Sequence, residues 1–180
     1  MVDANGLNEQ GKRFFQQGDY EAAYHAFEQA HHAYAEQGIA DQVAEMQVNM
    51  GLMKHTLGDS STALTLMQQA LETFVNIEDG LRTAQVLGNM GRVYLKLNDR
   101  EQAYQAYRQA ADLFEELGEK QFYGETLLAM ADLQMKDGKM MSAAGTYEAG
   151  LEQLDDLNPN QKVLKNLLSL RNRFLGSSGN

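Results

Sequence analysis

The residue types that carry most enzyme chemistry are sparse in this chain of 180 residues, and those present are poorly spaced for it. Cysteine is absent, which excludes disulfides, thiolate metal sites and a cysteine nucleophile. The candidate bases or metal ligands are His25, His31, His32 and His55. His31 and His32 are neighbours and diverge on a helix; His25 and His32 share a face, but the spacing sets no third ligand beside them. They read as surface or packing histidines. The adjacent carboxylates Glu115 and Glu116, and Asp155 and Asp156, diverge in the same way and read as solvated acidic faces, not as acid–base pairs. No P-loop, GxSxG or HExxH motif occurs. No catalysis, cofactor or metal is expected. What remains is chemistry for holding another chain. Asn49 and Asn89 stand in identical NMG triplets, each offering a donor and an acceptor, and Arg92 and Lys96 beside the second suit a partner's carboxylate.

The elements that must position these residues follow from the spacing of the two triplets, which is forty and holds along the chain. The glycine column reads Gly11, Gly51, Gly91 and Ala131. Other small columns read Ala23, Ala63, Ala103 and Ala143; Ala30, Ala70, Ala110 and Gly150; and Ala4, Ala44, Ala84 and Gly124. Large residues keep the same register at Phe27, Met67, Tyr107 and Tyr147, and at Tyr34, Phe74, Phe114 and Leu154. A turn column reads Gly18, Gly58, Asn98 and Gly138, residues suited to a left-handed exit from a helix, and Asp19, Asp59 and Asp99 are placed to cap the next one. Each unit is therefore a helix, a short turn and a second helix, with only one proline in the chain to oppose helix. The spacing predicts A helices at 5–17, 41–57, 81–97 and 121–137, and B helices at 20–36, 60–77, 100–117 and 140–155. Small columns let A and B approach closely while the aromatic and methionine columns fill the space beside them. Met50, Met90 and Met130 read as core, and core packing is favoured for Met135, Met140 and Met141 as well.

These columns resemble the tetratricopeptide repeat family. Its Gly-x-x-Tyr signature appears as Gly91 to Tyr94 and, with phenylalanine, as Gly11 to Phe14, and its Ala-x-x-x-Phe signature as Ala23 to Phe27. The departures are a unit longer than usual, similar to the long repeats of kinesin light chain, the missing proline at each repeat's end, and Lys54 where an aromatic is usual. The resemblance implies an all-α superhelix of four repeats, at approximately 1–40, 41–80, 81–120 and 121–157. A capping helix at 158–175 follows, with Asn158 and Pro159 at its start and a stripe of Val163, Leu164, Leu167, Leu168 and Phe174, then a disordered tail at 176–180.

Charge narrows the partner. A net charge of −10 argues against nucleic acid, which needs a basic surface. By forties the charge runs −4, −5, 0 and −5, with +4 in the last twenty residues, so an anionic partner is best received around 81–120 or by the tail. With no secretory h-region and no apolar run long enough to insert in a membrane, the chain reads as soluble and cytoplasmic.

Stacked pairs of this kind present their A helices on a concave surface. The residues expected there are Lys12 and Phe15, then Asn49, Leu52 and His55, then Asn89, Arg92 and Lys96, then Asp132 and Lys136. In repeats resembling kinesin light chain, asparagines at the places of Asn49 and Asn89 hold the ligand main chain. The carboxylate clamp of chaperone-binding repeats is not expected: of its five positions, occupied here by Asn8, Lys12, Asn49, Gln85 and Asn89, only Asn49 matches. The reading is a non-catalytic adaptor that binds a peptide or protein segment in the groove. The alternative is a scaffold that self-assembles into a homo-oligomer through repeat ends or the C-terminal helix.

Overall fold

Turns punctuate the chain at a fixed interval, and each is closed by a residue with left-handed backbone. Gly18, Gly58, Asn98 and Gly138 have φ of 78°, 94°, 61° and 75°, as their types predict. At each one, the amide of the following residue bonds back to the carbonyl of Phe14, Lys54, Tyr94 or Gln134, satisfying an orphan acceptor at the helix end. Asp19, Asp59 and Asp99 then cap the next helix through the amides of Ala22, Thr62 and Gln102, at 3.1 Å each.

A computed structural model describes residues 3–176, with side chains as far as Arg171. Among the described residues there are nine α-helices and no strand. In chain order they are α1 (Ala4–Gln17), α2 (Tyr20–Glu36), α3 (Ala40–Thr56), α4 (Ser60–Asn76), α5 (Gly80–Lys96), α6 (Arg100–Leu117), α7 (Lys120–Lys136), α8 (Met140–Gln153) and α9 (Pro159–Gly176). α8 stops two residues short of the expected 155 because Leu154 turns to an extended conformation. Asn158 and Gln161 cap α9 reciprocally, each side chain accepting from the other's amide, at 3.0 and 2.8 Å. Gly176, expected to open the tail, is the last residue of α9. The remaining tail residues, 177–180, and the Phe174 side chain lie outside what is described.

The chain divides within α6 into two compact units, ending and beginning at Ala106 and Tyr107. In the first, Ala23, Phe27, Ala30, Tyr34, Met46 and Met50 belong to one buried cluster. Ala44, Ala63, Met67, Ala70, Phe74, Val86 and Met90 belong to a second. The small columns are where helices touch. A Cβ on Gly11 would lie 2.6 Å from the Phe27 ring, and one on Gly51 3.1 Å from Met67 Cγ. In the second unit α7 and α8 meet backbone to backbone, since a Cβ on Gly124 would lie 2.8 Å from the Gly150 carbonyl oxygen.

Lys54, in the aromatic column, lies over the Tyr24 ring with Nζ 4.4 Å from the centroid, so its charge keeps a partner. Met50, Met90 and Met130 are buried, as their column predicts. Met135, Met140 and Met141 are not core: they are 41%, 63% and 72% exposed. Met140 and Met141 open α8 in the register of Ser60–Ser61 and Arg100–Glu101, before the helix reaches the first contact column at Ala143.

Candidate functional site

The helix faces that pack internally leave one side of each A helix for other work, and the ten candidate residues fall in both units. Lys12, Phe15, Asn49, Leu52, His55, Asn89, Arg92 and Lys96 belong to the first, Asp132 and Lys136 to the second.

On α1, Lys12 Nζ donates to Glu9 at 2.8 Å. That hydrogen bond is the main reason the ammonium is held above its ordinary value; a small burial cost opposes it, and Glu45 of α3 adds to it. Phe15 is half exposed at the end of α1, its ring 6.1 Å from that of Tyr20 across the turn. On α3, Asn49 is half-buried and makes no side-chain hydrogen bond among the described residues. Leu52 packs against both buried clusters, so much of its surface is spent on the core. His55 Nδ1 lies 3.2 Å from Ser60 Oγ at the start of α4. Its imidazole is pushed below the ordinary value, first by burial and then by the fields of Arg92 and Lys96. Arg92 and Lys96 of α5 thus act on His55 of α3, an influence between helices that spacing within one helix does not reveal.

On α5, Arg92 Nη2 donates to Asn89 Oδ1 at 3.0 Å, leaving the asparagine's amide donors uncommitted and the rest of the guanidinium fork exposed. Lys96 is exposed at the last turn. On α7, Asp132 is turned toward its own B helix, accepting the Tyr147 hydroxyl. Burial, with that hydrogen bond, pushes Tyr147 up to about 12. Asp132 is therefore engaged in the α7/α8 pair, whereas Lys136 is exposed with no ion pair among the described residues.

Arg82 is a residue that motif reasoning missed. It donates to Asp79 at 2.6 Å and to Asp41 at 3.3 Å, and lies 4.9 Å over the Phe74 ring. Burial raises the Asp79 and Asp41 carboxyls, but bonds from Arg82, with one from Gln42 to Asp41, outweigh it and hold both below their ordinary value. This ties α3, α4 and α5 together at their ends. The available signal was an arginine three residues after a capping aspartate; its second partner, forty-one residues away, is a tertiary fact.

Among the described residues no group of three or more histidine or acidic side chains is placed to hold a metal. No described helix is long and apolar enough to cross a membrane.

Residues 42–116 match the family model described as tetratricopeptide repeat. No curated protein sequence matches the chain. Several solved structures share its fold. BtubC (BKLC) from P. vanneervenii superposes with a TM-score of 0.69 at 20% identity, over 92% of this chain and 64% of that one. A Rap protein complexed with Competence and Sporulation Factor gives 0.77 at 20% identity, over 83% and 42%. The apo form of RapI gives 0.78 at 18% identity, over 84% and 56%. The chain thus spans less than two thirds of the length of each.

Proposed function

We propose that this chain, whose residues 42–116 match the tetratricopeptide repeat family, is a non-catalytic adaptor that holds a peptide or protein segment on the exposed faces of its A helices. The observation that carries the reading is the pair Asn49 and Asn89. Both occupy the same register of successive A helices, both are half-buried, and both retain amide donors that no neighbour among the described residues uses. A donor and an acceptor at a repeated spacing match the main chain of an extended segment whatever its sequence. The reading includes four repeats, at approximately 1–40, 41–80, 81–120 and 121–157, with α9 as a cap. It also takes the chain to work in the cytoplasm without nucleic acid or membrane insertion. A Rap protein of similar fold was crystallised with Competence and Sporulation Factor, which supports a binding role for this architecture.

Asn49→Ala combined with Asn89→Ala tests the assignment. Neither asparagine is a member of the buried clusters, so the double variant is expected to keep most of its stability and to lose most of its capture of the natural partner. Unchanged capture refutes the groove. A second reading, self-assembly through α9, is favoured by Val163 and Leu167, each 58% exposed, and Leu170 at 48%, on the same helix whose Leu168 is buried. Light scattering separates the two, because a mass that does not change with concentration removes self-assembly.

A further inference from the structure

Most basic side chains that the fold brings near an acid are paired with it: Lys12 with Glu9, Arg82 with Asp41 and Asp79, Lys139 with Asp137, and Arg171 with Glu148. Arg92 and Lys96 are different. Both are exposed, one helical turn apart on α5, and neither has a carboxylate partner among the described residues. They act on the same third group, His55 at the end of α3. The Asn89 bond steadies the Arg92 guanidinium, and Ser60 steadies one edge of the imidazole, leaving Nε2 for another contact. In a chain of net charge −10 this is a local cationic cluster with its own neutralising charge missing.

We infer that His55, Arg92 and Lys96 form a subsite for a carboxylate side chain of an acidic peptide segment, and that His55 takes up a proton from solvent as the carboxylate docks. The inference rests on the groove reading above and names the chemistry of the segment. In the free protein, burial and then the two nearby cations disfavour the charged ring. A carboxylate set among them cancels the cations' field at the ring and favours imidazolium directly, so the bound ring holds its proton to higher pH than the free one. By linkage, affinity rises as pH falls through the bound-state value and levels off below the free-state value. The other charged groups on the elements around His55 are engaged elsewhere. Lys54 of α3 is turned over Tyr24 of α2, Glu28 of α2 accepts the Tyr24 hydroxyl, and Asp59 is occupied by the Thr62 amide at the start of α4.

The test titrates the whole chain with a glutamate-rich peptide blocked at both ends and with its glutamine counterpart, at low salt, between pH 8 and pH 6. The glutamate peptide is expected to bind at least about tenfold more tightly, a factor that corresponds to about 1.4 kcal/mol. Arg92→Gln with Lys96→Gln should erase the difference. His55→Gln should flatten the gain toward pH 6, which for one coupled proton is at most about tenfold per pH unit. In the unsubstituted protein, saturation with the glutamate peptide should move the NMR titration of His55 to higher pH, a readout that does not depend on any variant folding. Equal binding of the two peptides overturns the subsite but leaves the groove standing. Binding of neither, or a His55 titration unmoved by bound peptide, also overturns the subsite. A doubled mass in light scattering that the glutamate peptide reverses assigns the cluster to a second copy of this acidic chain, and overturns it too. Loss of both peptides in an Asn49→Ala variant, which leaves the Asn89–Arg92 bond intact, reports on the groove alone.

Discussion

Gly124→Ala restores the small-residue column to alanine in all four units, since the other members are Ala4, Ala44 and Ala84, yet the contact predicts that it destabilises the protein. At Gly124 the new Cβ would lie 2.8 Å from the Gly150 carbonyl oxygen, 2.8 Å from Leu154 Cδ2 and 3.0 Å from Gln153 Cβ. The leucine tip can swing away; the carbonyl belongs to the backbone of α8 and moves only with the helix. Overpacking of this kind costs about 1–3 kcal/mol. Replacing a mid-helix glycine by alanine returns about 0.5–1 kcal/mol. The net expectation is a loss of up to about 2.5 kcal/mol, the larger cost less the smaller gain. Gly145→Ala on α8 is the control: nothing lies within 4 Å of its Cβ, so only the propensity gain applies and the change should stabilise. Gly150→Ala meets the reciprocal clash, with the Gly124 oxygen 3.0 Å away. The double variant Gly124→Ala, Gly150→Ala should cost less than the sum of the singles, because a single separation of α7 from α8 accommodates both methyls. Urea unfolding followed by circular dichroism, with amide exchange in α7 and α8 to localise the loss, measures all four variants. A Gly124→Ala protein as stable as Gly145→Ala would refute the close-approach account of the column.

Glu78 holds φ of 57° where the corresponding turns have Gly38 and Gly118, so Glu78→Gly should relieve a left-handed strain of about 1–2 kcal/mol, less part of that returned as backbone entropy, and raise the melting temperature. Arg82→Gln should cost about 1 kcal/mol at pH 7 by releasing Asp41, Asp79 and the Phe74 ring. The carboxyls it holds are depressed, so their contribution is present above about pH 4 and lost as pH falls through their folded values; the two proteins' melting temperatures should converge in acid. Tyr147 is raised to about 12, so its stabilisation is present below about pH 10 and lost as pH rises through 12. Ultraviolet titration should show one late tyrosinate that Asp132→Asn brings down.

The fold was legible because helix pairing here is local. A period of forty with small residues, aromatics and turn formers in fixed columns states which helices exist, where they turn and which faces they bury, and the helix boundaries follow within two residues. Left-handed turn residues and capping aspartates are decided within a few residues of chain, so sequence determines them. It was silent wherever the outcome depends on a side chain from another helix. Lys54 looked like a defect in a column until Tyr24 was beneath it. Met140 and Met141 shared the chain's apolar composition but open their helix before the packed columns begin. Asp132 shared a register with the candidate groove residues, and Tyr147 of the next helix engages it. Asn49 and Asn89 could be picked from spacing alone, as repeat register fixes their helix face. The field of Arg92 and Lys96 on His55 needed α3 and α5 side by side, because electrostatic interaction depends on distance in space and not along the chain.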